Sequence, residues 1–454
     1  MDSYSLIKKF ILLLGDLAIF FCSLWLALLI RYGENYSLAI WYNHLPLFSL
    51  LALIWLAILY SFNFYQLAYY SNLLGFSSTF AKAAIIIAIA SIMFFYGFSN
   101  LAPIAPKTIM IIDLILFSFL FTLWRYLFHK LFNLTAFKKR ILVYGSHPNL
   151  PTILEEIKNH DYLLNVVGCY AFSKTPELHN IPLPIYSLDY HLVDLVKQEK
   201  IKIIILADNP NPTDTEALAE LLKEQVNILS LPKFYEIYLQ KIPIRFLQTS
   251  WFLENFAEDD KKLLEAPKRL MDFTLALIGL MISIILLPIL SLLIKLTSRG
   301  PIFFYKMRSG QGGQPFLAIK LRTMVIGAEK NGPQWAERND QRITKVGKYL
   351  RKLRLDELPQ LFNILRGEMS FVGPRPERPE LDQKIELQVP YYRYRHLVKP
   401  GLTGWAQINY PYGSSIDDAR IKLEYDLYYL KNRSLLLDWS IILKTINTIF
   451  RGWG

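Results

Sequence analysis

Long apolar runs separated by short polar stretches fill the first third of the chain, and this pattern predicts a membrane bundle. The runs lie at about residues 8–30, 45–64, 80–98 and 108–128. Each supplies roughly the twenty apolar residues that a helix needs to cross the hydrocarbon layer. Basic residues gather before the first run and after the fourth, which places both ends in the cytoplasm. Residues 1–135 are therefore predicted to form four transmembrane helices.

The pattern changes at residue 138, after which short apolar runs alternate with helical periodicity. Strands are predicted at 141–145, 166–172 and 201–208, and helices at 150–159, 189–199 and 213–224. This alternation is typical of a small parallel sheet, so residues 138–250 are predicted to form a Rossmann-like domain. Its first turn keeps only Gly145 of the G-x-G-x-x-G pattern, and Pro148 removes a backbone donor. We therefore expect a structural or regulatory domain without a working NAD site.

A fifth apolar block follows at 270–294, with basic residues on both sides and Pro288 inside it. Positive flanks at both ends favour both ends in the cytoplasm, and a proline can bend the helix. We predict a re-entrant membrane helix at about 268–295. An ordinary spanning helix remains the alternative, because proline also occurs in those.

Composition supports a membrane protein that binds anions. Hydrophobic residues make up 53% of the chain and the formal net charge is +12. Residues 300–454 hold 25 Lys and Arg against 15 Asp and Glu. A basic domain beside a bilayer attracts anionic lipids and substrates, and the membrane segments argue against nucleic acid as the partner. An amphipathic helix at 433–450 is expected to lie on the membrane.

The candidate chemistry centres on residues 355–376, LDELPQLFNILRGEMSFVGPRP, where Asp356 and Glu357 stand among many cations. An aspartate before an apolar run is usually a helix cap. The second carboxylate and the surrounding cations favour phosphate chemistry instead. One carboxylate can attack phosphorus, and the other can hold magnesium against the diphosphate.

Three further cations are candidate phosphate ligands. Arg375 lies in a Gly-Pro-Arg-Pro turn, where the prolines order the backbone behind one guanidinium group. Lys320 and Arg322 alternate at strand spacing, which places both on one face. The alternatives are a solvent-facing turn and a solvated strand face.

Charged residues also stand at the entrance of the predicted re-entrant helix. Lys268 and Arg269 are expected to meet lipid phosphates at the headgroup level, and Asp272 to cap the helix or pair with them. Asp426 and Asp438 are weaker candidates, because helix-surface or capping roles explain either one alone.

Taken together, these motifs resemble the polyprenyl-phosphate hexose-1-phosphate transferases, the bacterial sugar transferases that start exopolysaccharide and O-antigen assembly. The resemblance covers the whole layout: four N-terminal helices, a degenerate Rossmann-like domain, and a mixed helical catalytic domain at 266–454. The motifs that carry it are KRLMD, SRGPIFFYKMRSGQGGQPF, KLRTM, NDQRITKVGKYLRKLRLDELPQLFNILRGEMSFVGPRPERP, KPGLTGWAQIN and DLYYLKNRSLLLD.

The resemblance implies transfer of a sugar 1-phosphate from a UDP-sugar to undecaprenyl phosphate, with release of UMP. It implies that Asp356 is the covalent nucleophile and that Glu357 holds Mg²⁺. The other residues that it assigns are Arg351 and Arg375 as phosphate ligands, Lys320 and Arg322 as weaker ones, and Lys268, Arg269, Asp272 and Pro288 at the membrane interface.

The resemblance also implies a multi-pass protein of the bacterial inner membrane with a cytoplasmic catalytic domain. We expect the Rossmann-like domain to mediate self-association, giving a homo-oligomer such as a dimer. The motifs do not select the sugar. Two other classes stay open: a non-catalytic membrane scaffold with the same fold, and a sugar-nucleotide oxidoreductase that would use the middle domain.

Overall fold

A computed structural model of the chain describes residues 3–65, 73–97, 107–131, 139–147, 150–160, 164–170, 183–187, 191–247, 249–256, 262–328, 340–410, 413 and 415–451. The chain divides into an N-terminal unit, Met1–Leu239, and a C-terminal unit, Gln240–Gly454. This division falls inside the predicted Rossmann-like domain, so residues 240–250 pack with the C-terminal unit. Pro148 and the outer ends of the strand predicted at 166–172 and the helix predicted at 189–199 lie outside the described residues.

Four long helices begin the N-terminal unit: α1 (Ser3–Tyr32), α2 (Leu38–Ser61), α3 (Leu73–Gly97) and α4 (Lys107–Leu131). All four are long and apolar enough to cross a membrane. Buried polar contacts join α1 to α4, because Arg125 donates to Asp16 at 2.5 Å and Ser23 donates to Asp113 at 2.6 Å. Buried polar groups in such helices need partners, and each carboxylate finds one on a neighbouring helix.

A five-stranded parallel sheet completes this unit, in the order β3-β2-β1-β4-β5. Its elements are β1 (Lys139–Tyr144), α5 (Leu150–His160), β2 (Leu164–Tyr170), β3 (Ile185–Tyr186), α6 (Leu192–Gln198), β4 (Ile203–Leu206), α7 (Pro212–Lys223), β5 (Asn227–Ser230) and α8 (Leu231–Phe234). The central strands are continuous apolar runs because both of their faces are buried. The parallel sheet predicted from the alternating pattern is confirmed.

The C-terminal unit combines short helices with two small sheets. Its elements are α9 (Thr249–Asn255), α10 (Lys262–Thr297), β6 (Phe303–Ser309), β7 (Pro315–Leu321), α11 (Lys345–Lys352), α12 (Leu361–Arg366), β8 (Ser370–Val372), α13 (Pro379–Glu386), β9 (Gly401–Thr403), α14 (Trp405–Asn409), α15 (Ile416–Asn432) and α16 (Leu435–Arg451). β6 and β7 form an antiparallel hairpin, and β8 pairs parallel with β9. Two 3-10 helices, Leu355–Gln360 and Tyr392–Leu397, carry charged residues of the site.

Helix α10 is the fifth helix that is long and apolar enough to cross a membrane. The structure has no break at Pro288, since one helix continues from Lys262 to Thr297. A proline can bend a helix without ending it, so re-entry stays a prediction. Exposed apolar side chains cover the middle of the helix, including Ile284 and Ile285. The several long apolar helices among the described residues indicate a membrane-associated protein.

Candidate active site

The two adjacent carboxylates lie at a sharp change of chain direction. α11 ends at Lys352, and Arg354 then adopts the left-handed conformation, with φ of +54°, before the 3-10 helix begins. Such backbone is uncommon for a residue other than glycine and is often found at functional sites. The turn buries both Asp356 and Glu357. The Asp356 side chain caps no helix, so the usual structural role of such a residue does not apply here.

Three cations surround Glu357. Its Oε1 accepts hydrogen bonds from Lys320 Nζ at 2.7 Å and from Arg375 at 3.0 Å, and its Oε2 lies 3.5 Å from Arg354. Burial works to raise the pKa of Glu357, but the charges of these cations outweigh it and hold that pKa well below its usual range. Glu357 is therefore ionised at neutral pH.

Asp356 has a different environment from its neighbour. Its carboxylate accepts no hydrogen bond from the residues that the structure describes, although it is almost fully buried. Burial raises the pKa of Asp356, with Lys320 acting to lower it and the charge of Glu357 to raise it. A carboxylate oxygen that accepts no hydrogen bond keeps its lone pairs available. The two carboxylates thus have different environments: Glu357 is bound by cations, whereas Asp356 accepts no hydrogen bond from the described residues.

The structure brings Lys320 and Arg375 to the pair but does not bring Arg322. The Arg322 guanidinium donates to the carbonyls of Ser298 and Arg299, each at 2.7 Å, at the end of α10. β7 ends at Leu321, so the strand alternation expected to place Lys320 and Arg322 on one face stops between them. Arg322 therefore holds the residues that follow α10 to the end of β7.

Arg351 lies near the pair without contacting it. It projects from α11, and its Nε donates to the Thr323 hydroxyl at 2.9 Å. Its charge acts to lower the pKa of Asp356.

The charged residues at the start of α10 turn inward, which differs from the expectation that they meet lipid headgroups. Lys268 is buried and donates to Asp438 at 2.8 Å. Arg269 donates to the carbonyls of Ile364 and Leu365 at the end of α12, both at 2.6 Å. The physical reason is that these helix-end carbonyls and a buried carboxylate lie within reach, and a buried cation needs such partners.

Asp272 and Asp438 complete this attachment. Asp272 accepts a hydrogen bond from the backbone N–H of Phe371 at 2.9 Å. Asp438 accepts from Tyr429 at 2.8 Å as well as from Lys268. Asp438 is fully buried, whereas the sequence favoured a helix-surface or capping role for it. Together these contacts fix the start of the membrane helix to β8, α12 and α16.

An open cleft is lined by Arg354 and Arg375, two of the cations beside Glu357. Eight of its lining residues are ionisable or aromatic: Arg354, Arg375, Glu377, Tyr392, Arg395, Tyr410, Lys422 and Asp426. Arg395 is buried and contacts Asp426 at 3.1 Å, while burial raises the pKa of Asp426 to about 6 with Arg395 opposing it. Sequence reasoning missed Arg395 and Lys422, because no local motif marks them and only the fold brings them to this cleft.

The donor set fits a magnesium ion that shares its coordination with a substrate. Among the described residues, no group of three or more His, Cys, Asp and Glu could hold a metal alone. Mg²⁺ is usually bound by one or two carboxylates together with substrate phosphates and water. Glu357 supplies one such carboxylate, with Lys320 and Arg375 beside it.

A carboxylate lies against the described part of the first turn of the parallel sheet. The backbone N–H of Ser146 donates to the Asp208 carboxylate at 2.6 Å. A Cβ added to Gly145 would lie 2.7 Å from the same carboxylate. The Asp208 carboxylate thus takes the backbone N–H that follows Gly145, and the lack of a working NAD site stays a prediction.

The part of the chain that is similar to known proteins lies in the C-terminal unit. The family described as "Bacterial sugar transferase" matches residues 263–452. An Aeromonas hydrophila protein named UDP-N-acetylgalactosamine-undecaprenyl-phosphate N-acetylgalactosaminephosphotransferase is 47% identical over 187 residues, 41% of this chain and 44% of that protein. A Xanthomonas campestris pv. campestris protein named UDP-glucose:undecaprenyl-phosphate glucose-1-phosphate transferase is 42% identical over 181 residues, 39% of this chain and 37% of that protein.

A relative with the same printed name from Caulobacter vibrioides is 40% identical over 184 residues, which are 40% of this chain and 69% of that protein. The matches to the Aeromonas and Xanthomonas proteins span less than half the length of each. The matched region contains the carboxylate pair, the cations around it and helix α10. The chain belongs to the bacterial sugar transferase family.

Proposed function

We propose that this protein transfers a hexose 1-phosphate or N-acetylhexosamine 1-phosphate from a UDP-sugar to undecaprenyl phosphate. The observation that carries the proposal is the pair of Asp356, which has no hydrogen bond, beside Glu357, which is held by three cations. Undecaprenyl phosphate appears in the names of the three relatives, whereas the sugar is N-acetylgalactosamine in one name and glucose in the other two. The proposal therefore leaves the sugar open.

The arrangement supports a two-step transfer. A carboxylate oxygen of Asp356 attacks the phosphorus that bears the sugar, and the bond from that phosphorus to the oxygen of UMP breaks, so that UMP leaves with the electron pair. A phosphate oxygen of undecaprenyl phosphate then attacks the same phosphorus and displaces Asp356. Arg375, Lys320 and Arg354 are the cations beside Glu357, and they neutralise the negative charge of the substrate phosphates.

We also propose Mg²⁺ as the cofactor, with Glu357 as its protein ligand. The metal would supply further neutralisation of the diphosphate. Lys320 and Arg375, which contact Glu357 at 2.7 and 3.0 Å, would then bind phosphate oxygens directly. Both cations contact the same oxygen of Glu357, Oε1, which supports their transfer from Glu357 to the phosphate oxygens.

Re-entry of α10 in the inner membrane, with the catalytic unit in the cytoplasm, is part of the proposal. Both ends of α10 are tied to the same unit, through Asp272 and Phe371 at one end and Ser298 and Arg322 at the other. Two ends on one unit favour two ends on one side of the bilayer. A lipid phosphate and a soluble nucleotide could then reach the same carboxylate.

UMP release from a panel of UDP-sugars tests the function, with the full chain in detergent, Mg²⁺ and undecaprenyl phosphate. Without acceptor, we expect about one UMP per active site and a phosphosugar adduct detectable by mass spectrometry. Asp356→Asn should lower turnover by at least about a thousandfold and abolish the adduct, because it removes the attacking oxygen. Asp417→Asn, an exposed surface carboxylate of the same unit, is the matched control.

The scaffold alternative predicts no UMP release with any donor. An absorbance change from NAD or NADH would instead support the oxidoreductase, against which the occupied Ser146 N–H argues. Release that persists in Asp356→Asn would rule out this residue as the nucleophile. Self-association through the Rossmann-like domain also stays a prediction, and light scattering of the detergent-solubilised chain tests it.

A further inference from the structure

The C-terminal unit includes a segment that lies outside the matched family region. Residues 240–247 and 249–256, here called the leading segment, precede the match at 263–452 but belong to the same compact unit. The indole N–H of Trp405 donates to the backbone carbonyl of Gln240 at 2.9 Å. The leading segment is thus fixed to α14 at its first residue.

A second tie joins the leading segment to α15. The backbone N–H of Ile242 donates to the carbonyl of Glu424 at 2.9 Å. Lys241 also pairs with the Glu424 carboxylate at 3.3 Å, and both side chains are 8% exposed. A buried ion pair with an adjacent backbone hydrogen bond specifies one register, because shifting either chain would leave a buried charge unpaired.

Aromatic stacking joins the leading segment to the 3-10 helix Tyr392–Leu397. The Phe252 ring lies 4.2 Å from that of Tyr391 and 4.5 Å from that of Tyr394, at interplanar angles of 28° and 31°. Tyr391 has a φ of +64°, in the left-handed region that a tyrosine adopts only when its surroundings impose it. Phe252 is therefore one of the groups that hold this turn.

That 3-10 helix carries the residue that holds Arg375. Arg395 donates to the backbone carbonyl of Arg375 at 2.8 Å and to the Tyr392 hydroxyl at 2.6 Å. Arg375 in turn donates to Glu357 at 3.0 Å. A continuous series of contacts thus connects Phe252 to the carboxylate pair.

Three of the side chains that pack in the same cluster as the leading segment also line the cleft. Ile385, Tyr392 and Ala419 share a buried cluster with Ile242 and Phe252, and all three face the cleft. We propose that the leading segment is a positioning element for the donor nucleotide, acting through Arg395 on the backbone of Arg375. This inference rests on the proposed function, since it assigns the cleft to the UDP-sugar.

Steady-state kinetics of Phe252→Ala in the full-length protein test the proposal. We expect the donor KM to rise about tenfold while kcat changes less than twofold, because Arg375 keeps its chemistry but loses its fixed position. Ile441→Ala removes a fully buried side chain from a different cluster of the same unit and serves as the control for lost packing. The same donor KM in Phe252→Ala as in Ile441→Ala would overturn the proposal.

A double-mutant cycle with Arg395→Lys separates positioning from general destabilisation. If Phe252 acts through Arg395, the double variant should have a donor KM no higher than that of the worse single variant. If the fold-increases in donor KM of the two single variants multiply in the double variant, the two residues act independently and the proposal fails.

Hydrogen exchange gives a readout that does not depend on turnover. Phe252→Ala should speed amide exchange in residues 370–378 and 392–397, whereas Ile441→Ala should leave the second stretch unchanged. An inactive wild-type protein that shows this exchange pattern would refute the proposed function and keep the positioning role. Unchanged exchange in both stretches would refute the positioning role whatever the activity.

Discussion

The buried pair of Lys268 and Asp438 should be a major determinant of stability in the C-terminal unit. The charged atoms lie 2.8 Å apart, with the Asp438 side chain fully buried and that of Lys268 10% exposed. Removing one partner of such a pair leaves an uncompensated buried charge and costs about 3–5 kcal/mol. We therefore expect Lys268→Met to destabilise this unit by about that amount.

The expected shift in thermal unfolding follows from the size of the unit. Each 1 kcal/mol lowers Tm by about 2–4 °C in domains of roughly 150–250 residues, the class to which residues 240–454 belong. Lys268→Met should thus lower Tm by about 6–20 °C, measured by fluorescence on the full chain in detergent. The double variant Lys268→Met/Asp438→Leu should recover most of the loss, because it removes both charges.

An exposed ion pair between the same two helices provides the control. Arg433, beside the start of α16, contacts Glu265 of α10 at 2.7 Å, but the Glu265 side chain is 51% exposed. Arg433→Met should therefore cost no more than about 1 kcal/mol. Equal shifts for Lys268→Met and Arg433→Met would refute the assignment of Lys268 as a buried anchor. An unrecovered Tm in the double variant would show that packing around Lys268, and not its charge, is what matters.

Two other predictions separate Lys320 from Arg322. Lys320 acts to lower the pKa of both Asp356 and Glu357, so Lys320→Met should raise both and move the acid limb of the kcat/KM profile to higher pH by about one unit or more. An acid limb at the same pH in Lys320→Met as in the wild-type protein would contradict the 2.7 Å contact between Lys320 Nζ and Glu357 Oε1. Arg322→Met should instead lower Tm by several degrees and change donor KM less than Lys320→Met does, because it frees the Ser298 and Arg299 carbonyls. The opposite ranking in KM would place Arg322 in the phosphate site.

Apolar periodicity was sufficient to predict the architecture. Runs of about twenty apolar residues have few stable arrangements outside a membrane, and buried parallel strands require continuous apolar runs. The four N-terminal helices, the parallel sheet and the helix at 433–450 were therefore predictable. The carboxylate pair was also apparent, because Asp356 and Glu357 are adjacent in the chain and a local motif is enough to mark them.

Only the tertiary structure decided which cations serve that pair. Lys320 and Arg322 are two positions apart in sequence, yet one reaches Glu357 and the other holds the end of α10. Lys268 looked like a lipid-facing cation until the fold placed Asp438, 170 residues away, beside it. A side chain's sequence neighbours fix its charge and its spacing, but its partner depends on which distant segment packs against it. For that reason the local motif marked the candidate carboxylates, and the fold alone assigned the surrounding charges and the leading segment.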